Sequence, residues 1–420
     1  MPAFVVRTIG CKVNQYETQR LVEQLETLGW RRSTNGAGAD LCIVNTCTVT
    51  EEADAKCRQA LRRLRREHPG ALVVAVGCYS ERDRAGLEAM PEVDRVLGNA
   101  EKERLVEVLG LLNGDAPCAS SGISRFAGHA RAFVKVQDGC DQFCSYCIVP
   151  YVRGRSRSRP MPDILDEAQR LVENAYSEIV LTGVHLGGYD DAGRRLPELV
   201  RAFDAVEGLL RLRLSSIDPK DVTVGLIEAV ASSRVACPHL HVSLQSGSTS
   251  VLERMNRGYT RGDYLAMVER AMSTIADLVL STDLMVGFPG ETDDEFGDSL
   301  DVIGRVGFGK VHVFPFSPRP GTAAAAMTDH VPHDVVRARL ARVGDVAKAA
   351  AVRCRERFVG RTVDVLVEGR TRDGRQWHGF TPSYLKTLFA LDNAPVGGVQ
   401  RVHVESCDAT RLVGRVEVKP

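Results

Sequence analysis

The feature that most narrows the possible folds is an alternation running through the first three quarters of the chain. Short apolar runs rich in β-branched residues recur, and stretches with helical spacing separate them. Three runs lie near the start, FVVRTIGC, DLCIVNTC and ALVVAVGC, with helix-like segments at 15–28 and 51–67 between them. Six more follow: AFVKV (132–136), EIVLTGV (178–184), LRLRLSS (210–216), HLHVSLQ (239–245), LVLSTDLMVGF (278–288) and KVHVFPF (310–316). Helical stretches at 163–175, 224–231, 263–276 and 294–306 lie among them, several with Asp or Thr near the start, as an N-cap needs. Such alternation implies parallel strands joined by right-handed crossovers, so the fold class is α/β.

The pattern changes after about residue 357. FVGRTVDVLVEG, RQWHGFTPSYLKTLFA and VQRVHVESCDATRLVGRVEV read as short alternating strands with Gly-containing turns, a small β-barrel. The string NGDAPCASSGISRF at 113–126 reads as a linker. Three units are therefore expected: a parallel-sheet α/β domain over 1–112, a central partial (β/α)6 barrel over 126–355, and a C-terminal β-barrel over 357–420.

Hydrophobic residues make up 44% of the 420, which excludes wholesale disorder. Lys and Arg number 54, as do Asp and Glu, so any nucleic-acid site must be a local patch rather than a general basic coat. The start, MPAFVVRTIGCK, does not read as a secretory signal, and no long apolar run suggests a membrane span. A cytoplasmic protein is expected, and there disulfides account poorly for 12 Cys.

Two cysteine trios carry the chemistry. Cys140, Cys144 and Cys147 stand as C-x3-C-x2-C on a Gly-preceded loop. Zinc wants four ligands, and no fourth Cys or His is near in sequence. A 4Fe–4S cluster on three Cys leaves one iron open to a substrate's amino and carboxylate groups. Structural zinc and a chance trio remain the alternatives. Cys11, Cys47 and Cys78 each end one of the first three apolar runs. In a parallel sheet those ends share one edge, where ligand sites gather, so the three thiolates should converge. Cys42 falls inside a run and Cys57 inside a helix-like stretch, so neither shares that placement. The competing reading of this second trio is three buried hydrophobes.

The cysteine loop resembles that of the radical S-adenosylmethionine superfamily. The resemblance implies that its three Cys hold a 4Fe–4S cluster whose open iron binds S-adenosylmethionine, with Tyr146 beside the adenine. The six later strands would then be the superfamily's partial barrel. Chemistry in such barrels sits at the C-terminal strand ends. Those ends carry Thr182-Gly183, Ser215-Ser216, Gln245-Ser246-Gly247 and Gly287 to Glu291. Turn chemistry alone would account for each, but their repetition favours a cofactor site; Thr182, Gly183 and Gln245 are the candidate contacts.

The strings TIGCKVNQYETQ, NTCTVT, GCY, CSYCIVPYVRGRSRS, SSIDP, SLQSGS, RMNRGYT, GFPGETDDEF and HVFPFSPRPGT are similar to the methylthiotransferases within that superfamily, over nearly the whole chain. KVNQYE and NTCTVT resemble the branch that modifies N6-threonylcarbamoyladenosine in tRNA. The resemblance implies two 4Fe–4S clusters, with Cys11, Cys47 and Cys78 holding the sulfur-donating one, and a methylthio group placed at carbon 2 of the adenine. It also implies an electron donor of the flavodoxin or ferredoxin type and a sulfur source; the expectation of no membrane partner comes instead from the lack of a long apolar run. The terminal barrel would be TRAM-like and grip RNA. Isopentenyl-adenosine tRNA, a ribosomal protein aspartate, a radical enzyme whose extra cluster relays electrons, and a non-catalytic RNA-binding protein with zinc or a cluster are the rivals.

For RNA contact the candidates are Arg153, Arg155, Arg157 and Arg159, expected on one face of an extended segment, together with Trp377 and Lys386. Phe380, Tyr384 and Phe389 suit either base stacking or core packing. From 357 on, ten Lys and Arg face seven Asp and Glu, only mildly basic. Arg62, Arg63, Arg65 and Arg66 read as a solvated helix face.

Overall fold

The computed structural model describes residues 1–33, 38–111 and 122–417. Most of the expected linker, with Cys118, lies outside the described residues.

Strands β1 (Ala3–Thr8), β2 (Leu41–Thr46), β3 (Leu72–Gly77) and β4 (Arg95–Leu97) pair in that order, all parallel, and Arg31–Arg32 adds a short strand outside β1. Helices α1 (Lys12–Thr27) and α2 (Glu51–Glu67) cover opposite faces. Leu21 and Leu25 of α1 pack with Phe4, Ile43 and Val74, while Leu61 and Leu64 of α2 pack with Cys42, Val44 and Val73. Burial on both faces is why these strands read as continuous apolar runs. Thr50 caps α2 by accepting the Ala53 N–H. The short helix α3 (Cys78–Arg82) begins directly at Cys78.

Six further parallel strands run in chain order: β5 (Ala132–Asp138), β6 (Glu178–Gly183), β7 (Arg211–Leu214), β8 (His239–Val242), β9 (Val279–Val286) and β10 (Lys310–Pro315). The pair Ser216–Ile217 beside β8, with the Leu212 to Ala236 bridge, carries the sheet from β7 to β8. This is the partial (β/α)6 barrel. After the short helix α4 (Val149–Arg153), the crossovers include α5 (Met161–Glu173), α6 (Val224–Ser232), α7 (Arg261–Thr274) and α8 (Asp293–Val306). Thr260 with Asp263, and Thr292 with Glu295, form capping boxes on α7 and α8. The long helix α9 (His333–Glu356), which the sequence pattern did not delimit, packs on α8 and β10 and leads to the last unit.

That unit is a closed five-stranded barrel of β11 (Thr362–Arg370), β12 (Trp377–Phe380), β13 (Lys386–Ala390), β14 (Val399–Cys407) and β15 (Leu412–Val416), in the order β11-β12-β13-β15-β14. It departs from expectation in one respect. Trp377 is buried with Phe389 in the barrel core, and its Nε1 donates to the Leu391 carbonyl at 2.9 Å, so it offers no ring to a base. Phe380 and Tyr384 stack on each other and take Arg131 over their faces. Arg211 and Arg213 donate to the carbonyls of Phe380 and Pro382 at 2.9 and 2.8 Å, tying the small barrel to the large one. Among the described residues, no helix is long and apolar enough to cross a membrane.

Candidate active site

Cys11, Cys47 and Cys78 follow three strands that are immediate neighbours, so backbones about 4.8 Å apart deliver them to one edge. Gly10, at φ +110°, lets the chain before Cys11 lie against Cys47: an added Cβ would stand 2.6 Å from the Cys47 Cβ and 2.8 Å from its sulfur. Burial raises the Cys47 thiol to about 12, with Cys11 and Cys78 adding to the rise. Cys11 is exposed at its surface, yet desolvation by the atoms packed round it raises its thiol too, opposed chiefly by Arg153. Cys42 lies within the sheet core, and Cys57 sits behind Cys47, exchanging hydrogen bonds with its backbone at 3.4 Å.

The second trio is held by its loop. Gly139, at φ +71°, packs so tightly on the Arg155 carbonyl that a side chain would collide with it. Cys140 N–H donates to Gly154 O at 3.1 Å, Ser145 N–H to Met255 O at 3.0 Å, and Asn256 Nδ2 to Phe143 O at 3.0 Å. Burial raises Cys147 to about 12, and Cys144 and Cys140 push the same way. Among the described residues, neither trio is drawn together tightly enough to cage a single ion. Thiolates that bind three different irons of one cluster stand further apart than ligands on one ion.

Each trio has a buried arginine; the sequence did not single out Arg257, and Arg153 was expected to meet RNA rather than a cysteine. Arg257 donates from Nη1 to the Cys144 sulfur at 3.1 Å, while its Nη2 pairs with Asp218 at 2.7 Å. Both residues lie in strings noted above, SSIDP and RMNRGYT, but residue type alone does not reveal burial. Arg153 donates from Nε to the Cys78 sulfur at 3.3 Å. The extended, one-faced arginine segment expected at 153–159 is therefore not what forms. Arg153 ends helix α4, is buried, and bonds Asn14, Glu17 and Asp138. Arg159 pairs with Glu167 at 2.6 Å. Arg155 and Arg157 are exposed, Arg155 beside Asp141. Arg62, Arg63 and Arg66 lie on the open face of α2.

A cavity of about 450 Å³ opens beside the second trio, lined by Tyr146, Cys147, Gln245, Met285, Phe314 and, from the N-terminal unit, Val49 and Thr50. Gln245 adopts φ +63° and its Oε1 is buried without a partner, a strained acceptor awaiting a donor. Thr182 is buried, and Gly183 packs on Gln137; neither lines this cavity. The residues fit a cluster with S-adenosylmethionine: three thiols, an N–H donor on one sulfur, and an orphaned acceptor in the adjoining space.

The Radical SAM superfamily model matches residues 134–303, and Uncharacterized protein family UPF0004 matches residues 3–98. The threonylcarbamoyladenosine tRNA methylthiotransferase of Chlamydia pneumoniae is 40% identical over 98% of both chains, and that of Thermotoga maritima 37% over 99% of both. This chain belongs to the radical S-adenosylmethionine methylthiotransferases. The tRNA-2-methylthio-N(6)-dimethylallyladenosine synthase of Novosphingobium aromaticivorans follows at 36%, over 98% of this chain and 97% of that one. Among solved structures, the radical S-adenosylmethionine methyltransferase TsrM of Kitasatospora setae shares the fold, with TM-score 0.55 and 17% identity over 77% of each chain. The methylthiotransferase therefore carries a 4Fe–4S cluster, uses S-adenosylmethionine and acts on tRNA.

Proposed function

We propose that this methylthiotransferase converts N6-threonylcarbamoyladenosine in tRNA to its 2-methylthio derivative, with one cluster on Cys140, Cys144 and Cys147 and a second on Cys11, Cys47 and Cys78. The observation that carries the two-cluster reading is Arg153, which leaves the loop after the barrel trio and bonds the sulfur of the N-terminal trio. The choice of base follows the 40% and 37% relatives. When bound, the barrel cluster with S-adenosylmethionine supplies the radical that an unactivated carbon–hydrogen bond requires, and the N-terminal cluster supplies sulfur.

The chain's own part is to hold and to exclude. Tyr146 and Gln245 bind S-adenosylmethionine from the cavity; Thr182 and Gly183, the other expected contacts, lie at a strand end outside its lining. Val49 and Thr50 cap the cavity from the sulfur-donating side and keep water out. No side-chain acid or base is assigned, because none can break that bond at neutral pH. Arg155, Arg157 and Lys386 meet RNA phosphates. An electron donor of the flavodoxin or ferredoxin type and a sulfur source complete the set.

Nucleoside analysis of tRNA from cells with and without the gene tests the reading. Loss of the 2-methylthio base, with build-up of N6-threonylcarbamoyladenosine, supports it. An unchanged profile, or loss of the dimethylallyl derivative instead, refutes it.

A further inference from the structure

A second cavity, of about 700 Å³, lies between the inner face of β8 to β10, helix α9 and the C-terminal barrel. It meets the first at Asp283, which lines both. Its charge is lopsided. Six Lys and Arg side chains and three histidines line it, against one carboxylate, in a chain whose total charges balance. Asp283 itself is engaged by His241 at 2.9 Å and Ser243 at 3.2 Å. Such a cavity favours an anion.

Most of these cations have other work. Arg213 is held by Glu178 at 2.7 Å, and Arg355 donates to the carbonyls of Gly309 and Ala351 at 3.1 and 2.9 Å. Lys348 reaches Asp345, and Lys310 is exposed. Lys12 differs. It is half-buried and faces the cavity, and among the described residues its ammonium makes no hydrogen bond or ion pair. It also directly follows Cys11 in the chain, so it stands beside the sulfur-donating site. A half-buried cation without a partner is costly unless a ligand supplies the counter-charge.

We propose that Lys12 is a specificity-determining residue that binds the carboxylate of the N6-threonylcarbamoyl group. This rests on the substrate reading above. A threonylcarbamoyl group carries a carboxylate, a hydroxyl and a urea, whereas a dimethylallyl group carries no charge or hydrogen-bonding atom. His312, which also lines the cavity, is within reach of the same space for the polar remainder. An RNA phosphate is the other anion that Lys12 would meet, and the two sources separate by experiment.

Equilibrium binding to the cluster-loaded enzyme is measured with three anticodon stem-loops. They carry N6-threonylcarbamoyladenosine, the same base with its carboxylate converted to an amide, and N6-dimethylallyladenosine. Wild type should bind the first about 10- to 100-fold more tightly than the other two, the range of one charge-assisted hydrogen bond. Lys12→Met should erase that preference and leave the other two affinities unchanged, and Lys12→Arg should restore part of it. Equal loss on all three RNAs would make Lys12 a phosphate contact and overturn the proposal. A preference that survives Lys12→Met overturns it too, with the substrate reading intact. Wild type preferring the dimethylallyl stem-loop overturns both. The amide comparison needs no variant, so it decides the carboxylate even if Lys12→Met loses iron.

Discussion

Arg153 joins the barrel's cysteine-loop segment to the N-terminal unit, its Nε 3.3 Å from the Cys78 sulfur and its Nη1 2.9 Å from Glu17. Burial alone would raise the Glu17 carboxyl, but Lys102, Lys135 and Arg153 hold it well below the usual carboxylate range. Three cations thus meet two carboxylates, Glu17 and Asp138, and leave one positive charge facing Cys78.

Arg153→Met should therefore cost about 3–5 kcal/mol, the price of stranding buried carboxylates. It should also lower iron at the N-terminal trio. Arg153→Lys keeps the charge without the fork and should fall between. Urea unfolding and iron content check both variants; wild-type values in Arg153→Met would contradict the network's role.

Arg257→Met should act on the other trio. It removes the donor to Cys144 and strands Asp218, which is buried and pairs with Arg257 at 2.7 Å. Cleavage of S-adenosylmethionine should fall at least about tenfold, the worth of one charge-assisted hydrogen bond. Iron at Cys11, Cys47 and Cys78 should stay. Product assay with iron quantification distinguishes this from general unfolding.

His239 gives a pH prediction. Burial, with Arg213, His241, Lys12 and Arg131 around it, pushes its imidazole well below the ordinary value. It stays neutral in the folded chain and titrates near 6.5 once unfolded. The unfolded state binds more protons below that pH, so this stabilisation is full above about 6.5. It is lost on acidification, by up to about 1.4 kcal/mol per pH unit. His239→Gln should flatten the fall in urea stability between pH 6.5 and 5. Parallel profiles for the two proteins would count against a neutral His239.

The C-terminal barrel separates packing from RNA contact. Trp377→Ala should destabilise by about 3–5 kcal/mol through the cavity it leaves. Lys386→Ala should weaken tRNA binding and reduce its salt slope by roughly 1, with stability unchanged. Thermal unfolding and salt-dependent binding read the two effects independently.

The architecture was legible because parallel strands buried on both faces leave unbroken apolar runs, and because cysteines ended three of them. The helices were legible from Thr and Asp caps such as Thr292. Arg153 was not. The alternating arginines at 153–159 imitate a strand, while the five-residue helix that ends at Arg153 is too short to show a period. Its partner Glu17 lies 136 residues away. Trp377 was misread, and Lys12 passed over, for a related reason: residue type does not say whether an aromatic faces a core, or whether a lysine faces solvent or a cavity.

The central claim is that two thiolate trios hold two clusters with separate tasks. The most direct test replaces Cys11, Cys47 and Cys78 together by Ala, then counts iron and assays both half-reactions. About four irons should remain of about eight. 5′-Deoxyadenosine should still form from S-adenosylmethionine, and no 2-methylthio base should appear. Iron unchanged from wild type, or continued sulfur insertion, would contradict the account.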